Sequence, residues 1–255
     1  MLSKNQEKLI VSLSKKKYRD KLKLFVAEGP KLILDLVNSG LKPFIIVCDK
    51  HFHYKKNSLG DVDPVITTES VIKKLSNLKT PQNVIAVFHQ QNNFSEKIDI
   101  NSLILGLDGI QDPGNFGTIL RIADWFGIKT IICSTDTVDI YNPKVVQSSM
   151  GAIARLNVRY ENLEEFCIKY TESQNIIYGA FTNGDNIYNT QLSPKGLIIM
   201  GNEGNGIRPE IEKLITQKLS IPTFSTNKTL PESLNVSVAT AVICSEFKRT
   251  IGKRS

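Results

Sequence analysis

The chain has 255 residues, of which 41% are hydrophobic and 22% are charged, an ordinary composition for a globular protein. No apolar run approaches the roughly 18 residues that a membrane span needs, and the first eight residues are too polar for a signal peptide, so the sequence predicts a cytoplasmic protein without a membrane partner. The net charge of +7 comes entirely from residues 1–100, which carry 17 Lys and Arg against 10 Asp and Glu, whereas residues 101–255 carry 15 of each sign. A basic N-terminal part favours a polyanionic partner such as RNA.

The N-terminal part reads as a small α/β domain. Hydrophobic periodicity predicts a basic helix at 4–13, a strand at 24–27, a helix at 30–39 and strands at 44–48 and 84–88. The polar stretch 90–97 is the best linker candidate. We therefore expect two domains, 1–95 and 96–255.

The second domain alternates apolar runs with helical patterns, which is typical of a mostly parallel sheet. The predicted strands are 103–107, 130–133, 176–180, 197–200 and 218–221. The four cysteines have no Cys-x-x-Cys spacing and lie in apolar contexts, so we expect buried thiols rather than zinc ligands or disulfides. His51 and His53 have no carboxylate or cysteine cluster around them and indicate surface residues, so no metal site is predicted.

One basic run stands out in the first domain. Residues 15–21 place five cations and one aromatic ring in seven positions. The run fits either a solvated helix end or a contact with RNA phosphates and bases. The charge asymmetry favours RNA, and the candidate contacts are Lys15, Lys16, Lys17, Tyr18, Arg19 and Lys21.

A polar turn follows the first strand of the second domain in the segment 107–127, LDGIQDPGNFGTILRIADWFG. The pattern predicts a turn at 112–114 and a helix at 118–126, so that Arg121 would project from the first turns of that helix. Open α/β sheets place their chemistry at such strand ends.

Two further segments carry polar residues at comparable places. Segment 197–207, LIIMGNEGNGI, resembles a nucleotide cradle, but its glycine spacing fits neither a dinucleotide fingerprint nor a P-loop. Alone it would be a plain strand-to-helix connection; a bare backbone with a carboxylate also suits a sulfonium cofactor. Near the C-terminus, Ile221-Pro222 and the stretch 232–239, ESLNVSVA, read as an N-capped helix in which Ser233 or Asn235 supplies the cap.

In this order the three segments resemble the three motifs of SpoU (TrmH-type) RNA 2′-O-ribose methyltransferases. Segments 25–33, FVAEGPKLI, and 142–152, NPKVVQSSMGA, are similar to further parts of that family. The resemblance implies an α/β fold with a small L30e-like RNA-binding domain, followed by a methyltransferase domain closed by a trefoil knot. The loop 223–232 looks a few residues longer than the family's usual form.

The resemblance also implies site residues, S-adenosylmethionine as cofactor, and a homodimer formed through the C-terminal domain. The residues that match the catalytic positions are Arg121, Asn115, Glu203, Ser233 and Asn235. Those that match the cofactor-binding positions are Thr182, Met200, Gly201, Asn202, Gly204, Ile221, Leu234 and Asn235.

The family account makes Arg121 the base that removes the proton of a ribose 2′-hydroxyl. An arginine side chain normally stays protonated at pH 7, so the alternative is that Arg121 clamps an RNA phosphate and stabilises alkoxide charge while the proton leaves to phosphate or water. Either way the reaction is a direct displacement that depends on placing oxygen, methyl and sulfur in line.

We therefore expect a methyltransferase that acts on structured RNA, with ribosomal RNA as the first candidate and transfer RNA as the second. The alternative is an RNA-binding or ribosome-assembly protein that keeps the fold without turnover. The joint presence of the matched polar residues argues against that alternative, because binding alone does not need them. A nicotinamide oxidoreductase is disfavoured by the failed fingerprint.

Overall fold

The computed structural model describes residues 2–54, 58–60, 62–91, 97–225 and 233–252. By contacts between Cα atoms, the chain divides into two units, Met1–Asn92 with Asp139–Arg155, and Asn93–Val138 with Leu156–Ser255. The predicted boundary near residue 95 and most of the predicted linker lie outside the described residues. The grouping of 139–155 with the N-terminal unit differs from a single cut at that boundary.

The first unit is built on a four-stranded sheet with the order β1-β4-β2-β3. Strand β4 is antiparallel to β1 and β2, and β3 is parallel to β2. The elements are α1 (Lys4–Ser12), α2 (Lys16–Leu22), β1 (Leu24–Glu28), α3 (Pro30–Asn38), β2 (Pro43–Cys48), β3 (Val65–Ile66), α4 (Glu69–Leu75), β4 (Val84–His89) and, from the later segment, α6 (Pro143–Ser149).

Both faces of this sheet are covered, which explains why β1 is buried throughout. Val26 and its neighbours pack with apolar residues of α1 and α4 on one face. On the other face, Phe25 contacts Phe88 and Tyr141, whose ring centroids lie 5.7 and 4.8 Å away. Tyr141 belongs to the segment 139–155, so that segment joins this unit because it covers the second apolar face.

The second unit is a six-stranded sheet with the order β10-β8-β9-β5-β6-β7, in which every neighbouring pair is parallel. This confirms the prediction of a mostly parallel α/β sheet. Its elements are β5 (Leu103–Asp108), α5 (Pro113–Trp125), β6 (Thr130–Ser134), β7 (Asn157–Glu161), α7 (Leu163–Glu172), β8 (Ile177–Asn186), β9 (Gly196–Gly201), α8 (Pro209–Glu212), β10 (Gln217–Ser220) and α9 (Val236–Gly252).

Helices cover both faces of this sheet as well. Ile104 and Ile199 pack with α7 and α8, whereas Tyr178 meets Phe247 of α9 edge-on at 4.9 Å. Helix α5 lies against α9. The knot expected from the resemblance stays a prediction.

Candidate active site

The strand order of the second unit creates a switch point between β5 and β9. The connection that leaves β5 leads to β6 on one side, and the connection that leaves β9 leads to β10 on the other. Asp108 and Gly201 are paired at the carboxyl ends of these strands. Open parallel sheets bind ligands in the crevice outside such a point, because the two following loops diverge there.

Helix α5 starts earlier than the sequence pattern predicts. Asp112 is its N-cap and accepts a 2.8 Å hydrogen bond from the backbone N–H of Asn115, and Pro113 occupies the first helical position. The predicted turn at 112–114 was therefore wrong, since Gly114 and Gly117 weaken helix propensity but do not prevent a capped helix. Consequently Asn115 lies in the first turn and Arg121 in the third.

Three side chains from the three motif segments form one hydrogen-bonded group, which we call the polar triad: Glu203, Asn115 and Asn235. Asn115 Nδ2 donates to Glu203 Oε1 at 3.0 Å, and Asn235 Nδ2 donates to Asn115 Oδ1 at 2.9 Å. The Asn115 amide thus fixes the direction of the Glu203 carboxylate while leaving its negative charge in place.

In the third motif, the triad residue Asn235 is fixed in place because it also caps helix α9. Asn235 Oδ1 accepts from the backbone N–H of Ser237 at 3.0 Å and from its hydroxyl at 2.6 Å. Of the two predicted caps for α9, Asn235 is therefore the one that is used. Ser233 is exposed, and no hydrogen bond of its hydroxyl is found among the described residues.

The glycine turn at 201–206 closes on itself. Backbone hydrogen bonds of 2.9 and 3.0 Å join Asn202 and Gly206. A methyl group on Gly201 would come within 2.3 Å of the Gly206 carbonyl carbon, so glycine is needed there because the turn's own backbone crosses it. The contact between Gly201 and the cofactor that the resemblance implies stays a prediction.

The Asn202 side chain is also used by the protein itself. Its oxygen accepts from the N–H groups of Gly204 and Asn205, and its Nδ2 donates to the Gly109 carbonyl at 2.6 Å. The side chain thus fastens the glycine turn to the end of β5, and the cofactor contact that the resemblance implies for Asn202 stays a prediction.

Asp108 at the end of β5 forms an ion pair with Arg208 that the sequence did not predict. Asp108 is 1% exposed, and its Oδ1 accepts from Arg208 Nε at 2.6 Å while its Oδ2 accepts from the Arg208 backbone N–H at 2.8 Å. Asp136 lies 3.6 Å from the same guanidinium. A hydrogen bond from Ser134 is the main cause of the lowered pKa of Asp136, and the hydrogen bond to Asp108 is the main cause of the raised pKa of Arg208. The only signal in the sequence was an acidic residue at a strand end.

The basic run 15–21 forms α2 with its N-cap, and one of its members is a correction. Arg19 is 2% exposed and donates to Asp139 Oδ2 at 2.7 and 3.0 Å and to the carbonyl oxygens of Leu13 and Ser14. Four of its five guanidinium N–H groups are used inside the first unit and the side chain is buried, so it is unavailable to RNA. Lys16 pairs with Asp20, and the other four predicted contacts are exposed.

Comparison with known proteins decides the family. The model of the SpoU rRNA Methylase family matches residues 102–245, more than half of the chain. The chain belongs to the SpoU family. A second model, the MRM3-like substrate binding domain, matches residues 4–86.

Similar proteins span nearly the whole chain. The 23S rRNA (guanosine(2553)-2′-O)-methyltransferase RlmP of Bacillus subtilis is 30% identical over 233 residues, which are 91% of this chain and 91% of that protein. A structure from Porphyromonas gingivalis, assigned to the TrmH family of RNA methyltransferases, is 37% identical with a TM-score of 0.84 and full coverage of both chains. An AdoMet-bound rRNA methyltransferase from Sinorhizobium meliloti is 26% identical with a TM-score of 0.81, over 98% of this chain and 96% of that one.

The remaining residues that match SpoU-family positions are not joined to the triad by hydrogen bonds. Arg121 is exposed and has no hydrogen-bond or ion-pair partner among the described residues. Leu234 and Thr182 are exposed, Ile221 is half-buried, and Met200 is buried in β9. Most of the longer loop 223–232 lies outside the described residues.

The described part of the chain shows neither a group of metal ligands nor a membrane-spanning helix. Within it, no three His, Cys, Asp or Glu side chains are grouped so that they could hold a metal ion. No described helix is long and apolar enough to cross a membrane. The four cysteines are buried and unpaired, as the sequence predicted.

Proposed function

We propose that this protein transfers the methyl group of S-adenosylmethionine to a ribose 2′-hydroxyl of ribosomal RNA. The observation that carries the proposal is the polar triad, because it joins all three SpoU motifs at the switch point of the parallel sheet. The relative from Bacillus subtilis is named for this chemistry on 23S rRNA, and it matches this chain over almost its full length.

The residues at the switch point suit the cofactor. S-adenosylmethionine, when bound, supplies an electrophilic methyl group on a positively charged sulfur. Glu203 presents an exposed carboxylate whose direction Asn115 fixes, which complements a cation. The glycine turn and the segments around Ile221 and Leu234 would hold the remainder of the cofactor through backbone and apolar contacts.

Arg121 is assigned to the RNA. Its exposed guanidinium has no carboxylate partner among the described residues, so it is free to take an RNA phosphate as a bidentate partner. In that position its charge also stabilises the alkoxide that develops on the ribose oxygen, while the proton leaves to phosphate or water. Arg121 need not lose its own proton in this scheme.

The direct experiment maps ribose methylation across total RNA from cells with and without this protein, and then repeats the reaction with purified protein and labelled cofactor. One ribosomal nucleotide should lack its ribose methyl group in cells without the protein and should acquire it in the reaction with purified protein. Arg121→Ala should abolish turnover and leave the affinity for S-adenosylhomocysteine, measured by calorimetry, within a few-fold. Tight RNA binding with no methyl transfer to any RNA would favour the RNA-binding alternative instead.

We also propose that the protein acts as a homodimer in the cytoplasm, where ribosomal RNA is available. Trp125 at the end of α5 is 83% exposed and Val238 on α9 is 50% exposed, and a second copy would cover apolar side chains of this kind. Light scattering should report about twice the 28.5 kDa of one chain. A fully active species with the mass of one chain would contradict the dimer.

A further inference from the structure

Strands β2 and β4 of the first unit each expose a single residue, and both residues are aromatic. In β2 every residue is buried except Phe44, and in β4 every residue is buried except His89. The two rings meet edge-on with their centroids 5.6 Å apart. Such a pair at the end of two otherwise buried strands has no role in the core.

The exposure of Phe44 is built into the backbone. The pairing of β2 with β4 shifts register between Pro43 and Ile45, so Phe44 sits in a bulge. A bulge redirects one side chain out of the regular alternation. Phe44 is 49% exposed, although burial of a phenylalanine side chain normally stabilises a fold.

The same end of the sheet gathers positive charge. Leu24 is paired with His89, and the Lys23 carbonyl accepts a 2.8 Å hydrogen bond from the Gln90 backbone, so Lys23 lies beside the end of β4. Lys42 comes two residues before Phe44 at the start of β2. Both lysines are exposed, and neither has a carboxylate partner among the described residues.

We propose that Phe44, His89, Lys23 and Lys42 form a platform that binds one unpaired RNA base and its flanking phosphates. An exposed ring stacks on the face of any base, but only a base outside a duplex offers that face. Lysines without carboxylate partners bind phosphates, whereas an apolar protein partner would leave both charges uncompensated. The proposal rests on RNA being the substrate and adds where, and in what form, the first unit holds it.

The test measures binding of the full chain to two fluorescent probes, a 12-nucleotide uridine-rich RNA strand and the same strand in a duplex. Phe44→Ala should weaken strand binding by about 5- to 150-fold, because stacking on an aromatic ring contributes about 1–3 kcal/mol per base, and it should leave duplex binding within two-fold. Phe44→Trp should retain strand binding, and Phe44→Leu should not, although it preserves apolar packing.

Tyr54 supplies the matched control, since it is a similarly exposed aromatic residue that follows the opposite end of β2. Tyr54→Ala should leave both affinities unchanged. Lys23→Gln and Lys42→Gln should each lower the salt dependence of strand binding by about 0.7 on log-log axes.

Three outcomes would overturn the platform. The wild-type protein could bind neither probe, or the Phe44→Ala protein could bind the strand as tightly as the wild type does. In the third outcome, Phe44→Ala changes the mass measured by light scattering and leaves RNA binding unchanged. The last result would assign the surface to protein contacts. Because strand binding is measured without turnover, failure of the platform and failure of methyl transfer are observed separately.

Discussion

Removing the donor of one hydrogen bond in the polar triad gives a quantitative test of the site. Asn115→Asp keeps the shape of the side chain and its bond from Asn235, but it places a second carboxylate 3.0 Å from Glu203 Oε1. Two unit charges at that distance repel by about 1.4 kcal/mol at the dielectric constant of water. The lost hydrogen bond adds about 1 kcal/mol.

Relaxation reduces the sum, because the exposed Glu203 side chain can turn into solvent. We therefore expect Asn115→Asp to lower the free energy of unfolding by about 1–2 kcal/mol, measured by urea denaturation. Adding Glu203→Gln should recover most of that loss, since the amide introduced at position 203 can donate to the carboxylate introduced at position 115 in the original geometry. Ser233→Ala, which changes an exposed hydroxyl nearby, is the control and should have an effect below about 0.5 kcal/mol.

The double mutant decides whether the contact is real. Coupling between the two positions should amount to about 1–2 kcal/mol, whereas independent sites add to within about 0.3–0.5 kcal/mol. If the effects of Asn115→Asp and Glu203→Gln simply add, Asn115 and Glu203 are not hydrogen-bonded and the triad is refuted.

Three further predictions concern stability. Arg208→Ala should cost about 3 kcal/mol in urea denaturation, because it strips the buried Asp108 carboxylate of its counter-ion; a cost below about 1 kcal/mol would mean that water reaches Asp108. Gly201→Ala should destabilise the protein far more than Gly204→Ala, since the added methyl would lie 2.3 Å from its nearest neighbour in the first case and 3.7 Å in the second, and equal melting temperatures would contradict that geometry. Burial raises the pKa of the Cys167 thiol to about 12, so the folded state keeps a proton that the unfolded state loses above pH 9; this thiol alone should lower stability there by up to about 1.4 kcal/mol per pH unit, and Cys167→Ala should reduce the slope by that amount while the buried Cys133 and Cys244 thiols, whose pKa values burial also raises, keep the rest.

The sequence predicts the parallel sheet well because buried strands appear in the sequence as continuous apolar runs. Strand β7 shows the limit of that signal: it lies at the sheet edge with a single neighbour, and three of its five residues, Asn157, Arg159 and Glu161, are polar, so no apolar run marks it. The early start of α5 was not predicted for a related reason. Glycines 114 and 117 lower the helix propensity of the segment that Asp112 caps.

Residue identities at the site follow from the motifs, but their pairings do not. The resemblance points to Asn115, Glu203 and Asn235 individually, and only the folded chain brings their amides and carboxylate to hydrogen-bonding distance. The role of Arg19 was misread because a basic run looks identical whether its members are solvated or folded inward. Asp139, its partner, is 120 residues away along the chain.

The strand order of the second unit has a consequence for how the site comes into being. Strands β5, β6 and β7 are neighbours in sequence and in space, and so are β8, β9 and β10, which makes the sheet two sequential halves joined only where β5 meets β9. Asn115 follows the inner strand of one half and Glu203 that of the other. Long-range parallel pairing is intrinsically slow because the entropy of closing the intervening loop opposes it. A molecule in which both halves are formed but β5 and β9 are not yet paired would have its secondary structure and no active site. Catalytic competence therefore reports on the pairing of β5 with β9.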